Sequence, residues 1–221
     1  MVRVAAPLEA KAKAEARKKR ILLSLAAACV AVVLGVVALA VALAPEKLDP
    51  NLNYYADIVI ADYGTITVKL DQEAAPRTCV NFVKLAESGF YDGLTFHRIM
   101  KGFMMQGGDP KANGTGDSGN TIRGEFQENG VRNPLQHTRG AISMARGKDY
   151  DSASCQFFIV HEDSTASLDG KYACFGYVTA GMEVVDAICT SAQPTDSNGT
   201  IPREQQPVMT SVTIRTEPKQ K

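Results

Sequence analysis

The chain has 221 residues, with 24 Lys+Arg against 24 Asp+Glu and three His, so its formal net charge is zero. Hydrophobic residues make up 45% and charged residues 22%. This ordinary globular composition excludes a disordered, collagenous or disulfide-scaffold chain. Without an overall cationic field, a protein that coats nucleic acid is excluded too.

The balance hides two unlike parts. Residues 1–20 carry seven basic side chains, with Arg17, Lys18, Lys19 and Arg20 closing the stretch, against Glu9 and Glu15, a net +5. The remaining 17 basic and 22 acidic residues give −5. Residues 21–44 read ILLSLAAACVAVVLGVVALAVALA, 24 positions without a charge. As a helix this run would span roughly 36 Å, enough for a bilayer core of roughly 30 Å. The leading expectation is one transmembrane helix over 21–44. The tail 1–20 is then cytoplasmic and the following domain extracytoplasmic, since basic flanks stay inside.

Three alternatives stay open. A signal peptide cleaved after Ala42-Leu43-Ala44 would give a secreted protein, although the run is long and Pro45 follows the cut. Cys29 after Ala26-Ala27-Ala28 would be a lipidation site. A buried soluble helix would normally carry a polar stripe, which is missing here. Residues 45–52, with Pro45 and Pro50, read as a short linker.

Residues 53–216 are long enough for one compact domain, with 217–221 as a polar tail. Tyr55–Ala61 and Thr65–Leu70 are β-like runs joined by a Tyr63-Gly64 turn, a hairpin. Ala75–Ser88 reads as a helix, with Pro76 in its first turn and Gly89 at its end. Short apolar runs follow, split by apparent glycine loops at Gly107-Gly108, Gly114–Gly119, Gly140 and Gly147. A short helix at Met182–Ile188 lies between late strands at Gly176–Val178 and Val208–Ile214. Many short strands with two helices suggest a mainly β domain, a closed barrel capped at its ends. Cys79, Cys155, Cys174 and Cys189 show no metal-ligand spacing and read as small core residues. No metal or other cofactor is implied.

The densest stretch is Phe96–Pro110, FHRIMKGFMMQGGDP. Here the sequence resembles the cyclophilin family of peptidyl-prolyl isomerases. The resemblance continues through Asn113-Gly114-Thr115-Gly116, Ser143-Met144-Ala145, Gln156-Phe157-Phe158-Ile159, Leu168-Asp169-Gly170-Lys171 and Phe175-Gly176. It covers about Tyr54 to Thr216, with blocks matching in order and spacing. It implies a closed eight-stranded antiparallel barrel with two capping helices, a cofactor-free site on the outer face, and proline-containing polypeptides as substrates.

By that resemblance Arg98, Phe103 and Gln106 are the catalytic set. Met104, Gly114, Ala145, Arg146, Gln156, Phe158, Leu168 and Tyr172 bind substrate. Strand parity agrees for Gln156 and Phe158, which are two apart and face one side, leaving Phe157 and Ile159 to the other. The same parity sets His97 opposite Arg98, as a structural residue. Asn113-Gly-Thr and Asn198-Gly-Thr fit a glycosylation sequon but read as turns. Three departures stand out. Arg146 occupies a position where the family usually has Asn. Tyr172 replaces a histidine common in the pocket. Ser167 replaces a tryptophan that aids cyclosporin binding, so weak cyclosporin binding is expected. The rival readings are a proline-peptide binding module or holdase with little turnover, and a structural membrane protein whose barrel mediates assembly.

Overall fold

A computed structural model describes residues 13–15, 17–19, 23, 29–33 and 46–220. The chain divides into two compact units, Met1–Pro45 and Glu46–Lys221. The described residues of the first unit are helical. Most of the expected transmembrane span lies outside the described residues, and among those described no helix is long and apolar enough to cross a membrane.

The second unit contains eight strands: β1 Leu52–Ile60, β2 Gly64–Leu70, β3 Thr95–Met100, β4 Met104–Asp109, β5 Ala141–Met144, β6 Phe157–Val160, β7 Cys174–Ala180 and β8 Met209–Pro218. Its α-helices are α1 Pro76–Glu87, α2 Thr165–Leu168 and α3 Met182–Ser191. The strands form one antiparallel sheet in the order β3-β4-β6-β5-β7-β2-β1-β8. The expected hairpin is β1–β2, and the expected helices are α1 and α3. The expected closed barrel is met only in its eight antiparallel strands. No continuous ladder joins the edge strands. A bridge between Thr95 and Val208 and backbone bonds such as Phe96 N–H to Pro207 O (3.0 Å) connect β3 to the chain entering β8.

Gly107 and Gly108 lie inside β4 rather than in a loop. A Cβ at Gly107 would sit 2.7 Å from the Thr95 carbonyl oxygen and 2.8 Å from the Phe96 ring, so the missing side chain lets β3 and β4 pair closely. The core lies between the inner face of the sheet and the two longer helices. Phe82 on α1 is its hub, 5.2–5.5 Å between ring centroids from Tyr91, Phe157 and Phe175. Aromatic pairs of this kind add about 0.5–1.5 kcal/mol each beyond burial. The four cysteines of this unit are free and buried in or beside that core. Burial pushes the Cys155 thiol up to about 11 and those of Cys174 and Cys189 to about 12.

The start of α1 has an apolar N-cap, Ala75, with no side-chain cap. Glu125, distant in sequence and buried, supplies it instead. Its carboxylate accepts the N–H groups of Arg77 (3.1 Å) and Thr78 (2.8 Å) and the Thr78 hydroxyl (2.8 Å). A carboxylate here satisfies orphan donors and the positive end of the helix dipole together. Glu125→Ala is expected to lower stability by about 2 kcal/mol in chemical denaturation. An unchanged midpoint would mean that α1 does not depend on this cap.

Candidate active site

The site is built on the outer face of β3, β4 and β6. Register pairs Arg98 with Gln106, and Gln106 with Phe158. Paired residues project to one face, so the three side chains stand in a row across the sheet. The next row, Ile99–Met105–Ile159, points the other way into the core. Met104 and Phe158 belong to a second, outer apolar cluster with Val160 and Leu168, against which Phe103, Ala145 and Tyr172 pack.

A cavity of about 300 Å³ opens over this cluster, lined by Arg98, Phe103, Met104, Gln106, Ala145, Arg146, Phe158, Leu168 and Tyr172. A second, of about 280 Å³, shares Gln106, Ala145 and Arg146 with it and is lined further by Gly114, Asp117 and Gln156 among others. The eleven residues singled out in the sequence are thus all brought to two adjoining cavities with a common wall.

The guanidinium of Arg98 is held from several sides. Nε donates to the Asn198 carbonyl at 2.7 Å, and Nη1 to Gln106 Oε1 at 3.3 Å. Nη2 lies 3.2 Å from the Met100 sulfur, and the guanidinium carbon lies 6.0 Å from the Phe103 ring centroid. The line continues from Gln106 Nε2 to Gln156 Oε1 (2.9 Å), and from Gln156 Nε2 to the Gly116 carbonyl (2.9 Å). Burial lowers the pKa of Arg98, but from so high a value that it stays a cation at neutral pH.

Sequence reasoning missed several supports. Asn198 lies in a turn, as its Asn-Gly pair predicts. Asp196 clamps it, accepting the N–H groups of Asn198 and Thr200, both at 3.0 Å. What sequence could not reveal is that this turn aims a carbonyl at Arg98. His137, 1% exposed, stacks on Phe158 with centroids 6.0 Å apart. Its ring nitrogens bond Asp169 (2.8 Å) and Ser143 (2.9 Å). Burial lowers its pKa, against the opposing pull of Asp169. Tyr172 meets Phe158 edge-on from elsewhere in the wall, centroids 5.8 Å apart.

His97 does not stand opposite Arg98 as strand parity predicts. The β3–β4 register slips between Phe96 and Arg98, so strict alternation fails there. His97 lines an adjoining depression together with Arg98, rather than standing on the opposite face. It is buried, neither ring nitrogen has a hydrogen-bond partner among the described residues, and burial lowers its pKa. Among the described residues no group of three His, Cys, Asp or Glu side chains comes together as a metal site.

Comparison with known proteins decides the family. Residues 55–216 match the model of cyclophilin type peptidyl-prolyl cis-trans isomerases. The chain belongs to the cyclophilins. Peptidyl-prolyl cis-trans isomerase B of Bacillus subtilis is 49% identical over 126 residues, 57% of this chain and 83% of that protein. A peptidyl-prolyl cis-trans isomerase of Helicobacter pylori is 42% identical over 127 residues, 57% of this chain and 74% of the relative. Among solved structures, a Cryptosporidium parvum cyclophilin crystallised in the presence of the dipeptide Ala-Pro superposes with a TM-score of 0.64 at 27% identity. That match covers 74% of this chain and 99% of the other. This cyclophilin is a peptidyl-prolyl cis-trans isomerase, acting on proline-containing peptides.

The second cavity depends on Asp109. It is fully buried and accepts backbone N–H bonds from Lys111 (2.8 Å), Asn113 (3.0 Å) and Gly114 (2.5 Å). Burial alone would raise its pKa; the three donors outweigh that and hold it below the usual carboxylate range. A depressed native pKa stabilises the fold above the unfolded value near 3.9, and the contribution is lost as pH falls through the native one. Asp109→Asn is therefore expected to melt below wild type at pH 7, with the gap closing below about pH 4. A gap that stayed constant down to pH 2 would refute this account.

Proposed function

We propose that Arg98 drives the isomerisation by stabilising the twisted amide while the apolar part of the cavity wall holds the proline ring. An X-Pro amide rotates over a barrier of about 18–20 kcal/mol because of its partial double bond. Twisting frees the prolyl nitrogen lone pair. A cationic donor aimed at that nitrogen bonds it chiefly in the twisted state, so it lowers the barrier rather than tightening ground-state binding. The observation that carries this reading is the held guanidinium in the wall of a cavity that Phe103, Met104, Phe158 and Leu168 also line. Gln106 and the Asn198 carbonyl orient it, and no carboxylate lines the cavity to neutralise it. Gln106 and Gln156 are suited to bond the peptide backbone, Phe103, Met104, Phe158 and Leu168 to enclose the ring.

The test is an isomerase assay on a proline tetrapeptide. Arg98→Ala is expected to lower kcat/KM by about a hundredfold, mostly in kcat. Equal rates would sink the mechanism. Tight peptide binding by wild type with negligible turnover would favour the holdase reading. Cyclosporin, added to the same assay, is expected to inhibit weakly. Ser167 offers only a hydroxyl that bonds the Ser164 carbonyl (3.0 Å), where a tryptophan would present a large apolar face.

We further propose that residues 21–44 remain as an anchor, and that the isomerase serves exported or surface polypeptides. Slow proline steps limit the folding of many chains. The uncharged run and its basic flank support this reading. N-terminal sequencing of the protein recovered from the membrane fraction should find residues 1–44 attached. A mature chain starting at Pro45 in the medium would replace the anchor with secretion.

A further inference from the structure

The wall shared by the two cavities carries a second arginine. Arg146, just beyond β5, lies with its guanidinium carbon 4.8 Å from the ring centroid of Tyr172, 4.9 Å from Tyr150 and 5.1 Å from Phe126. Three aromatic rings around one guanidinium form a cage, each able to present electron density to the cation. Two carbonyls complete it: Nε donates to Lys171 O (3.0 Å) and Nη1 to Gly147 O (2.9 Å). The cage is itself braced. Tyr150 meets Phe126 edge-on at 5.2 Å, and its hydroxyl donates to Glu128 at 2.9 Å. A long side chain that would otherwise sample many rotamers is held in one place.

It makes no direct ion pair. Among the described residues neither Arg146 nor Arg98 has a carboxylate within salt-bridge distance, whereas Arg139 pairs with Asp186, and Arg215 with Asp57 and Glu217. The first cavity is lined by both arginines and no acid. The second adds one carboxylate, Asp117, one oxygen of which already accepts the Gly119 N–H (2.7 Å). Nη2 of Arg146 makes no hydrogen bond among the described residues, so donors remain. Two guanidiniums, one with an unused Nη2, favour an anionic partner and repel a cationic one.

We infer that Arg146 is a specificity-determining residue, favouring substrates with a carboxylate side chain within two residues of the isomerised proline. This rests on reading the Arg98 cavity as the isomerase site. A proline ring seated there leaves neighbouring side chains at the shared wall, where Arg146 stands.

The test uses proline pentapeptides identical except for Glu, Gln or Lys, placed one or two residues before or after the proline. They are assayed with wild type, Arg146→Gln and Arg146→Lys at low and high salt. At one position at least, wild type should prefer Glu over Lys by about fivefold in kcat/KM at low salt, the size of a contact charge pair in water. Salt should compress that ratio. Arg146→Gln should bring it close to the value that Arg98 alone sustains, and Arg146→Lys should retain part of it. Each variant is normalised to its own Gln peptide, so a general loss of activity cancels. The same Glu-to-Lys ratio in wild type and Arg146→Gln, or no charge preference in wild type, overturns the inference while leaving the isomerase reading intact. Absence of turnover on every peptide by wild type would overturn both.

Discussion

Arg98, Gln106 and Phe158 stand side by side because β3, β4 and β6 pair in one register. Most of the site follows from that. Side chains alternate along a strand, so a slip of one residue would turn this row into the core and bring Ile99, Met105 and Ile159 to the surface. The cost of exposing that inner row makes the register strongly specified. The close approach of β3 to β4 at Gly107 belongs to the same constraint. The hydrophobic core thus sets the position of a polar row that does not itself enter it.

Around that row the molecule places supports of two kinds. Apolar packing and a buried histidine brace Phe158 from behind. Hydrogen bonds hold the polar members: the Asn198 turn fixes Arg98 at one end, and Gln156, itself bonded to the Gly116 carbonyl, fixes Gln106 at the other. Asp109 anchors the loop that lines the second cavity, and Glu125 secures the start of α1 under the sheet. Both are buried carboxylates stabilised by backbone N–H groups rather than by a cation, so neither adds a positive charge near the cavities. The positive charge that lines them comes from Arg98 and Arg146.

Much of the site could be read before the fold. Phe96–Pro110 and the later blocks carry seven of the nine residues that line the first cavity, with Arg146 and Tyr172 each directly following a block, and the parity of Gln156 and Phe158 is a local property of extended chain. The hairpin and both longer helices were legible from alternation, from Pro76 and from apolar spacing. The strand count was not, since four-residue strands such as β5 and β6 are too short to declare a period. Local signals also misled at two places. Gly107-Gly108 looked like a loop, but glycine there serves close strand contact. His97 looked opposite to Arg98, but a bulge sits between Phe96 and Arg98.

The sequence by itself determined the family, the apolar and cationic residue types of the site, and the split between a basic, uncharged-run N-terminal segment and a domain of net −5. These are properties of composition and local order. Only the tertiary structure decided the long-range partners. Glu125 caps a helix 47 residues away, Asn198 holds an arginine 100 residues away, and three aromatic rings close around Arg146. Nothing in the local chain encodes such pairings. They arise when burying the inner row of each strand fixes where the loops must pass, and the loops then bring their carbonyls, carboxylates and rings to groups that would otherwise lack partners.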